Sequence, residues 1–363
     1  MPFRRITVTL HLWVGLALAA YAAVVGVTGS ILVFRGQISS PASLEFQPEL
    51  SRHSALARLS SPEAALTLVR NRYPGWRPFT LTWPNETSPF WMTYLLSGRR
   101  ALEVYQDPGT AAITGTRDPS KGWMSFVERL HANLLAGRSG RLLSGVGALG
   151  LLLLSATGVY LWWPGRRWGL RSRELHFGTG LVSAAFIAMF SVTGLYFVLP
   201  QAFELGARLI LGRHGAPRLP PAAVATNSQV LSLDELSRRA QQVMPGLPIH
   251  RIEIVDRPNE SVRVTFREGR PEQFHLVSTV FLHPVTGDVL QTARLSGRSA
   301  GDTLLAWLSA LHFGIFGGLF VKVVWALAGL SLPVLATTGF LMWMKKRRAV
   351  PRRASARESL FSR

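Results

Sequence analysis

The chain has 363 residues, 48% of them hydrophobic, and 40 basic against 20 acidic side chains give it a formal charge of +20. That much apolar content at this length argues against an ordinary soluble enzyme, and four runs are long enough to cross the roughly 30 Å of bilayer hydrocarbon at about 1.5 Å rise per residue. There is no cysteine, which excludes disulfides, thiolate metal ligands, iron–sulfur clusters and covalently attached c-type haem.

The first run, Ile6–Phe34, follows Arg4 and Arg5. It is far longer than the roughly 7–15 apolar residues of a signal peptide core, and no Ala-x-Ala cleavage site follows it, so it is expected to stay as a membrane helix. His11 lies near its start, and Thr28-Gly29 follow at +17 and +18. The chain then turns polar. Ser61–Tyr73 predicts a helix, with Ser61 as N-cap, Pro62 at N1 and apolar Ala65, Leu66, Val69 and Tyr73 at helical spacing, ended by Pro74-Gly75. Short β-rich runs follow at Phe79–Trp83, Phe90–Leu96 and Ala101–Tyr105, and the turn Asp107-Pro108-Gly109-Thr110 leads into a last strand.

His131 opens the second apolar region, whose span is Leu142–Trp163, with Thr157-Gly158 at +26 and +27 from the histidine. A straight helix from His131 to Trp163 would rise about 48 Å and lift His131 some ~35 Å above His11. The run Ala136-Gly137-Arg138-Ser139-Gly140 is where such a helix would break and fold His131 back down. A third span, His176–Leu199, carries Thr193-Gly194 at +17 and +18. The soluble pattern then recurs: a helix over Leu233–Val243 stopped by Pro245-Gly246, strands at Ile249–Val255, Ser261–Arg267 and Phe274–Leu282, and the turn His283-Pro284-Val285-Thr286-Gly287 before Asp288–Ala293. The last span, Val321–Met344, is preceded by His312, with Thr338-Gly339 at +26 and +27.

The offsets therefore repeat, and Gly15 matches Gly180, Arg141 matches Lys322 and Trp162 matches Trp343 in the same register. The chain reads as a duplicated unit, membrane helix, soluble segment, membrane helix, with two histidines per copy. Duplication sets equivalent residues opposite each other across a pseudo-two-fold axis. Two facing histidine pairs inside a membrane bundle are what two bis-imidazole haems need. A single intramembrane histidine can instead hydrogen-bond a neighbouring helix or snorkel to the interface; it is the matched set of four that points to haem.

Charge orients the chain. The N-terminus, the loop with Arg166, Arg167, Arg171 and Arg173 against Glu174, and the tail after the last span carry +2, +3 and +7. The positive-inside rule puts all three in the cytoplasm, with Trp162, Trp163, Trp168 and Trp343 as an aromatic belt on that side. Arg35–Arg141 and Pro200–Leu311 then lie outside. Basic residues this close to the membrane suit anionic lipid, not nucleic acid. The first and third spans run outward and the second and fourth inward, so the natural pairs are His11 with His176 and His131 with His312. Gly15, Gly178 and Gly180 near one pair, and Gly314, Gly317, Gly318 and Gly137 near the other, would admit a porphyrin or simply pack helices. Arg141 and Lys322, ten residues after the outer histidines, would neutralise haem propionates or anchor the interface. His53, His214, His250, His275 and His283 show no ligand spacing and read as ordinary surface or turn residues. No Walker A loop or His-Glu-x-x-His is present, and the one Gly-x-Gly-x-x-Gly, Gly145–Gly150, lies inside an apolar span and not after a strand, so any flavin or nicotinamide donor is expected to belong to another protein.

Helix, Pro-Gly stop, β-meander and a Pro-x-Thr hairpin, completed as Pro-x-Thr-Gly at Pro284–Gly287, resemble PepSY domains. Flanked by Leu10-His11-Leu12-Trp13-Val14-Gly15, Leu130-His131, Leu175-His176-Phe177-Gly178 and Leu311-His312-Phe313-Gly314, they resemble the PepSY-associated transmembrane proteins, also called iron-regulated membrane proteins, over nearly the whole chain. Members of the FoxB type are di-haem inner-membrane reductases of ferric siderophores. The resemblance implies an α-helical membrane protein with four transmembrane helices in two parallel repeats and two periplasmic α+β PepSY-like domains. The expected divisions are 1–35, 36–130, 131–164, 165–175, 176–199, 200–303, 304–344 and 345–363. It also implies two haem b groups on the four histidines, a ferric siderophore as substrate, and a cytoplasmic reductase or quinol as donor, in a bacterial inner membrane. Arg70, Arg72, Arg77, Arg99 and Arg100 make the first external segment the expected docking face for an anionic chelate. Two rivals belong to other classes. One is a non-haem anchor that binds or restrains an extracytoplasmic protein. The other is a metallophore permease, which would want acidic residues at mid-membrane where these four spans have none.

Overall fold

A computed structural model describes residues 2–38, 59–162, 171–212, 229–255 and 260–358. His53, His214, Trp163, Trp168, Arg166 and Arg167 lie outside the described residues. In chain order the elements are α1 (Pro2–Leu32), α2 (Arg35–Ile38), α3 (Pro62–Arg72), β1 (Arg77–Thr82), β2 (Trp91–Ser97), β3 (Arg100–Gln106), β4 (Ile113–Arg117), α4 (Trp123–Asn133), α5 (Gly137–Trp162) and α6 (Ser172–Val198). There follow α7 (Pro200–Leu211), α8 (Leu233–Val243), β5 (Ile249–Glu253), β6 (Val262–Arg267), β7 (Val277–Leu282), β8 (Val289–Ala293), α9 (Ala300–Phe313) and α10 (Gly318–Glu358). The chain divides into two compact units, one of Met1–Phe34, Phe126–Phe203 and Leu311–Arg363, the other of Arg35–Ser125 and Glu204–Ala310.

The first unit holds four helices long and apolar enough to cross a membrane: Pro2–Leu32, Gly137–Trp162, Ser172–Val198 and Gly318–Arg348. They close a ring in which α1 packs on α5 and α10, and α6 packs on α5 and α10. Outward-facing Leu142, Val146, Leu149 and Leu153 on α5, and Leu327 and Leu330 on α10, stay exposed, as lipid-facing side chains should. Small residues set the crossing of α1 on α10. A Cβ on Gly26 would stand 2.6 Å from the Gly329 carbonyl oxygen, and the Ser30 hydroxyl meets the Gly26 and Ala326 carbonyls at 2.7 and 2.9 Å.

The expected break in the second span is present. Between α4 and α5 the backbone turns left-handed at Leu134, Leu135 and Gly137, with φ of 51°, 60° and 57°. Leucine in that region carries strain of order 1–3 kcal/mol per residue, which the surrounding contacts must hold. Gly140 is obligatory, because a Cβ there would overlap the Asn133 carbonyl. Equivalent pivots separate α9 from α10, where Gly314 and Gly318 have φ of 64° and 65°. These glycines, and Gly137, serve the turn of the chain. The break brings His131 against Gly29, 18 residues along α1 from His11, or about 27 Å at helical rise. That is shorter than the separation a straight helix would impose.

The second unit departs from the expectation of two separate domains. Its eight strands form one antiparallel sheet in the order β4-β3-β2-β1-β5-β6-β7-β8. The halves join where β1 pairs with β5, Leu81 opposite Ile252. The duplication is visible in its irregularities. Bulges fall at Pro78/Thr80 and Ile249/Arg251, and again at Tyr105/Gln106 and Phe281/Leu282. Ser61 and Ser232 cap α3 and α8 alike, and the two helix starts meet, Glu63 accepting from the Leu233 amide and Asp234 from the Glu63 amide. One core runs through both halves: Leu66, Leu81 and Trp91 from the first half with Leu236, Ile252, Val264 and Phe266 from the second.

Candidate functional site

The four histidines come together in two pairs within the bundle. His11 on α1 faces His176 on α6 with ring centres 6.4 Å apart and planes at 90°. His131 on α4 faces His312 on α9 at 6.2 Å and 58°. Each ring is also bonded through Nδ1 to a threonine on another helix. The partners are Thr157 at 2.8 Å for His11, Thr28 at 3.0 Å for His131, Thr338 at 3.0 Å for His176 and Thr193 at 2.8 Å for His312. These are the threonines of the four Thr-Gly pairs, and the glycine beside each one lies under the same ring. Sequence reasoning registered those pairs only as markers of duplication; their recurrence at fixed offsets was the available signal.

The separations suit two imidazoles ligating one metal from opposite sides. Metal–imidazole bonds of about 2 Å, extended on each side to the ring centre, place the centres about 6.2 Å apart. Among the described residues no group of three or more His, Asp or Glu could hold a metal ion, so a metal at either pair would take its remaining donors from outside these side chains.

The surroundings differ between pairs. His11 and His176 line a cavity of 420 Å³ walled by Leu12, Leu151, Leu154 and Leu335, with Gly15 and Gly180 in its lining. Arg4, Arg173 and Lys346 line it too, with Trp162 and Trp343. An apolar slot carrying three cations has the amphipathic character of a porphyrin and its two carboxylates. None of those cations was singled out beforehand, because they are contributed by α1, α6 and α10 and converge only in the fold. At the other pair the wall is aromatic: Phe197, Phe313 and Phe190 stand 5.2, 5.6 and 6.3 Å from the His312 ring. Trp325 steadies that turn by donating its indole N–H to the Leu311 carbonyl.

Arg141 donates to the Phe197 and Val198 carbonyls, capping the C-terminal end of α6, and Lys322 is buried on α10. In the sheet unit Arg99 and Arg100 are exposed at the β2–β3 hairpin, with Arg100 over the Trp76 ring at 5.2 Å. The remaining described histidines belong to that unit. His283 accepts from the Val285 and Thr286 amides through Nδ1 at 3.2 Å, the turn role that Asp107 plays for Gly109 and Thr110 in the first half. Burial, with Arg251 and Arg267 nearby, pushes the His250 imidazole down to about 4.

The family model described as the PepSY-associated TM region matches residues 8–346. No curated protein matches the chain.

Proposed function

The chain belongs to the PepSY-associated transmembrane family, and from that premise we propose that it is a di-haem b oxidoreductase of a bacterial inner membrane that passes electrons outward to ferric siderophores. The observation that carries the reading is the presence of two histidine pairs at ligand spacing, 6.4 and 6.2 Å, near opposite ends of one apolar bundle. Haem b, when bound, supplies a one-electron carrier at each pair. His11 and His176 would hold one group and His131 and His312 the other. Arg4, Arg173 and Lys346 would meet carboxylates at the first, and Phe190, Phe197 and Phe313 would keep water from the second.

The basic segments orient the bundle with both termini cytoplasmic. The sheet unit then faces the periplasm, and the His131–His312 pair lies at the end of the bundle where the chain leaves for that unit. A cytoplasmic reductase or membrane quinol would act as donor. The substrate needs no acid, base or nucleophile. One electron converts Fe(III) to Fe(II), which hard-oxygen chelators hold far more weakly, so reduction alone releases the metal.

The test is to reduce the purified protein chemically, remove the reductant and add a ferric siderophore with a ferrozine-type Fe(II) trap. Reoxidation of the protein with matching Fe(II) capture is expected. Exchanging Arg99 and Arg100 for Ala weakens capture of an anionic chelate, and added salt reproduces the effect. Reduced protein that ignores every ferric chelate yet passes electrons to a periplasmic protein would make it an electron-transfer subunit instead.

A further inference from the structure

The four Thr-Gly pairs have a chemistry of their own. Each threonine hydroxyl lies within bonding distance of the carbonyl four residues back: Thr28 to Val24 at 2.6 Å, Thr157 to Leu153 at 2.7 Å, Thr193 to Met189 at 2.8 Å and Thr338 to Val334 at 2.7 Å. A carbonyl can only accept, and a hydroxyl has one proton. With that proton directed along its own helix, each Oγ1 turns a lone pair toward the histidine, so Nδ1 must carry the hydrogen. A neutral imidazole with its hydrogen on Nδ1 keeps the Nε2 lone pair free for a metal.

We infer that the four Thr-Gly pairs are positioning residues that lock each histidine as the Nδ1–H tautomer, with Nε2 aimed at the opposite histidine. This rests on the reading of the histidines as haem ligands. The glycines complete the device by leaving room for the ring. A Cβ on Gly29, Gly339, Gly158 or Gly194 would stand 3.0, 3.3, 3.4 or 3.7 Å from Cε1 of His131, His176, His11 or His312. The bonds are reciprocal within each copy of the duplication. The histidine of α1 is held from α5 and that of α4 from α1; the histidine of α6 is held from α10 and that of α9 from α6. The ligand pairs, by contrast, join one copy to the other. Each copy therefore carries two half-sites already set in the ligating tautomer, and a partner that polarises Nδ1–H makes Nε2 a more basic donor.

The experiment uses the full-length chain. Nitrogen-15 NMR of labelled histidine in haem-depleted protein should show these four rings as Nδ1–H, and Thr28→Val should release His131 from that form. In the loaded protein Thr28→Val should weaken the haem at His131–His312 by about 10- to 100-fold and raise its reduction potential. Thr28→Ser, which keeps the hydroxyl, should restore both, while the haem at His11–His176 stays as in wild type. Among the glycines, Gly29→Ala should loosen its haem most and Gly194→Ala least. Rings found as Nε2–H, or a Thr28→Val protein with wild-type haem affinity and potential, would overturn the inference. A colourless wild-type protein whose histidines are nevertheless Nδ1–H would overturn the haem reading and leave the tautomer lock standing.

Discussion

Removing one imidazole from either pair is expected to remove or loosen one haem and leave the other in place. His131→Ala and His312→Ala should each take the content from two groups per chain toward one, and the survivor should keep the spectrum of a six-coordinate low-spin centre. His11→Ala and His176→Ala should do the same at the other end. The consequences for function then separate. Without His131 the chemically reduced protein should no longer deliver electrons to a ferric chelate, even though its remaining haem still reduces. Without His11 a direct chemical reductant should still reach the ferric chelate through the outer centre, while delivery from the cytoplasmic or quinol side fails. The independence follows from geometry, since the sites are about 27 Å apart along α1 and share no ligand. Four alanine variants that all retain two haems with unchanged spectra would refute the ligand assignment.

Trp91→Ala should destabilise the whole eight-stranded sheet, first half and second alike. Trp91 is fully buried, packs on Trp83 with ring centres 4.9 Å apart, and donates its indole N–H to Ser60 and to the Pro108 carbonyl. Truncating a buried tryptophan costs about 3–5 kcal/mol, equivalent to a loss of amide protection of at least about 100-fold. Because Trp91 belongs to the same core as Ile252, Val264 and Phe266, hydrogen exchange should quicken in β5–β7 as well as in β1–β3. The haem bands should hold, since all four histidines lie in the bundle unit. Loss of protection confined to β1–β3 would mean that the halves fold separately, as the sequence alone suggested.

That contrast shows where sequence reasoning reached and where it stopped. Apolar run length marked the four spans to within a few residues, and the Pro-Gly stops and alternating runs located α3, α8 and most strands, because each of these signals is local. The break after His131 was also legible, since a straight helix would have been longer than any bilayer needs. Fusion of the two soluble segments into one sheet was not. The β1–β5 pairing joins residues some 170 positions apart, and neither strand's pattern distinguishes an edge from a centre. The pairing of His11 with His176 and His131 with His312 followed from helix direction alone. The threonine bonded to each histidine did not, because His11 is held by Thr157 and not by Thr28 on its own helix. Arg4, Arg173 and Lys346 looked like ordinary members of basic flanks until the fold placed them on one cavity.

The most direct test of the account is the visible spectrum of the purified full-length protein, oxidised and then dithionite-reduced, with haem counted against protein. Two haem b per chain with low-spin bis-imidazole bands in both states is the predicted result. A colourless protein, or one haem shared among several chains, would contradict it and would favour the rival in which these helices only anchor the sheet unit.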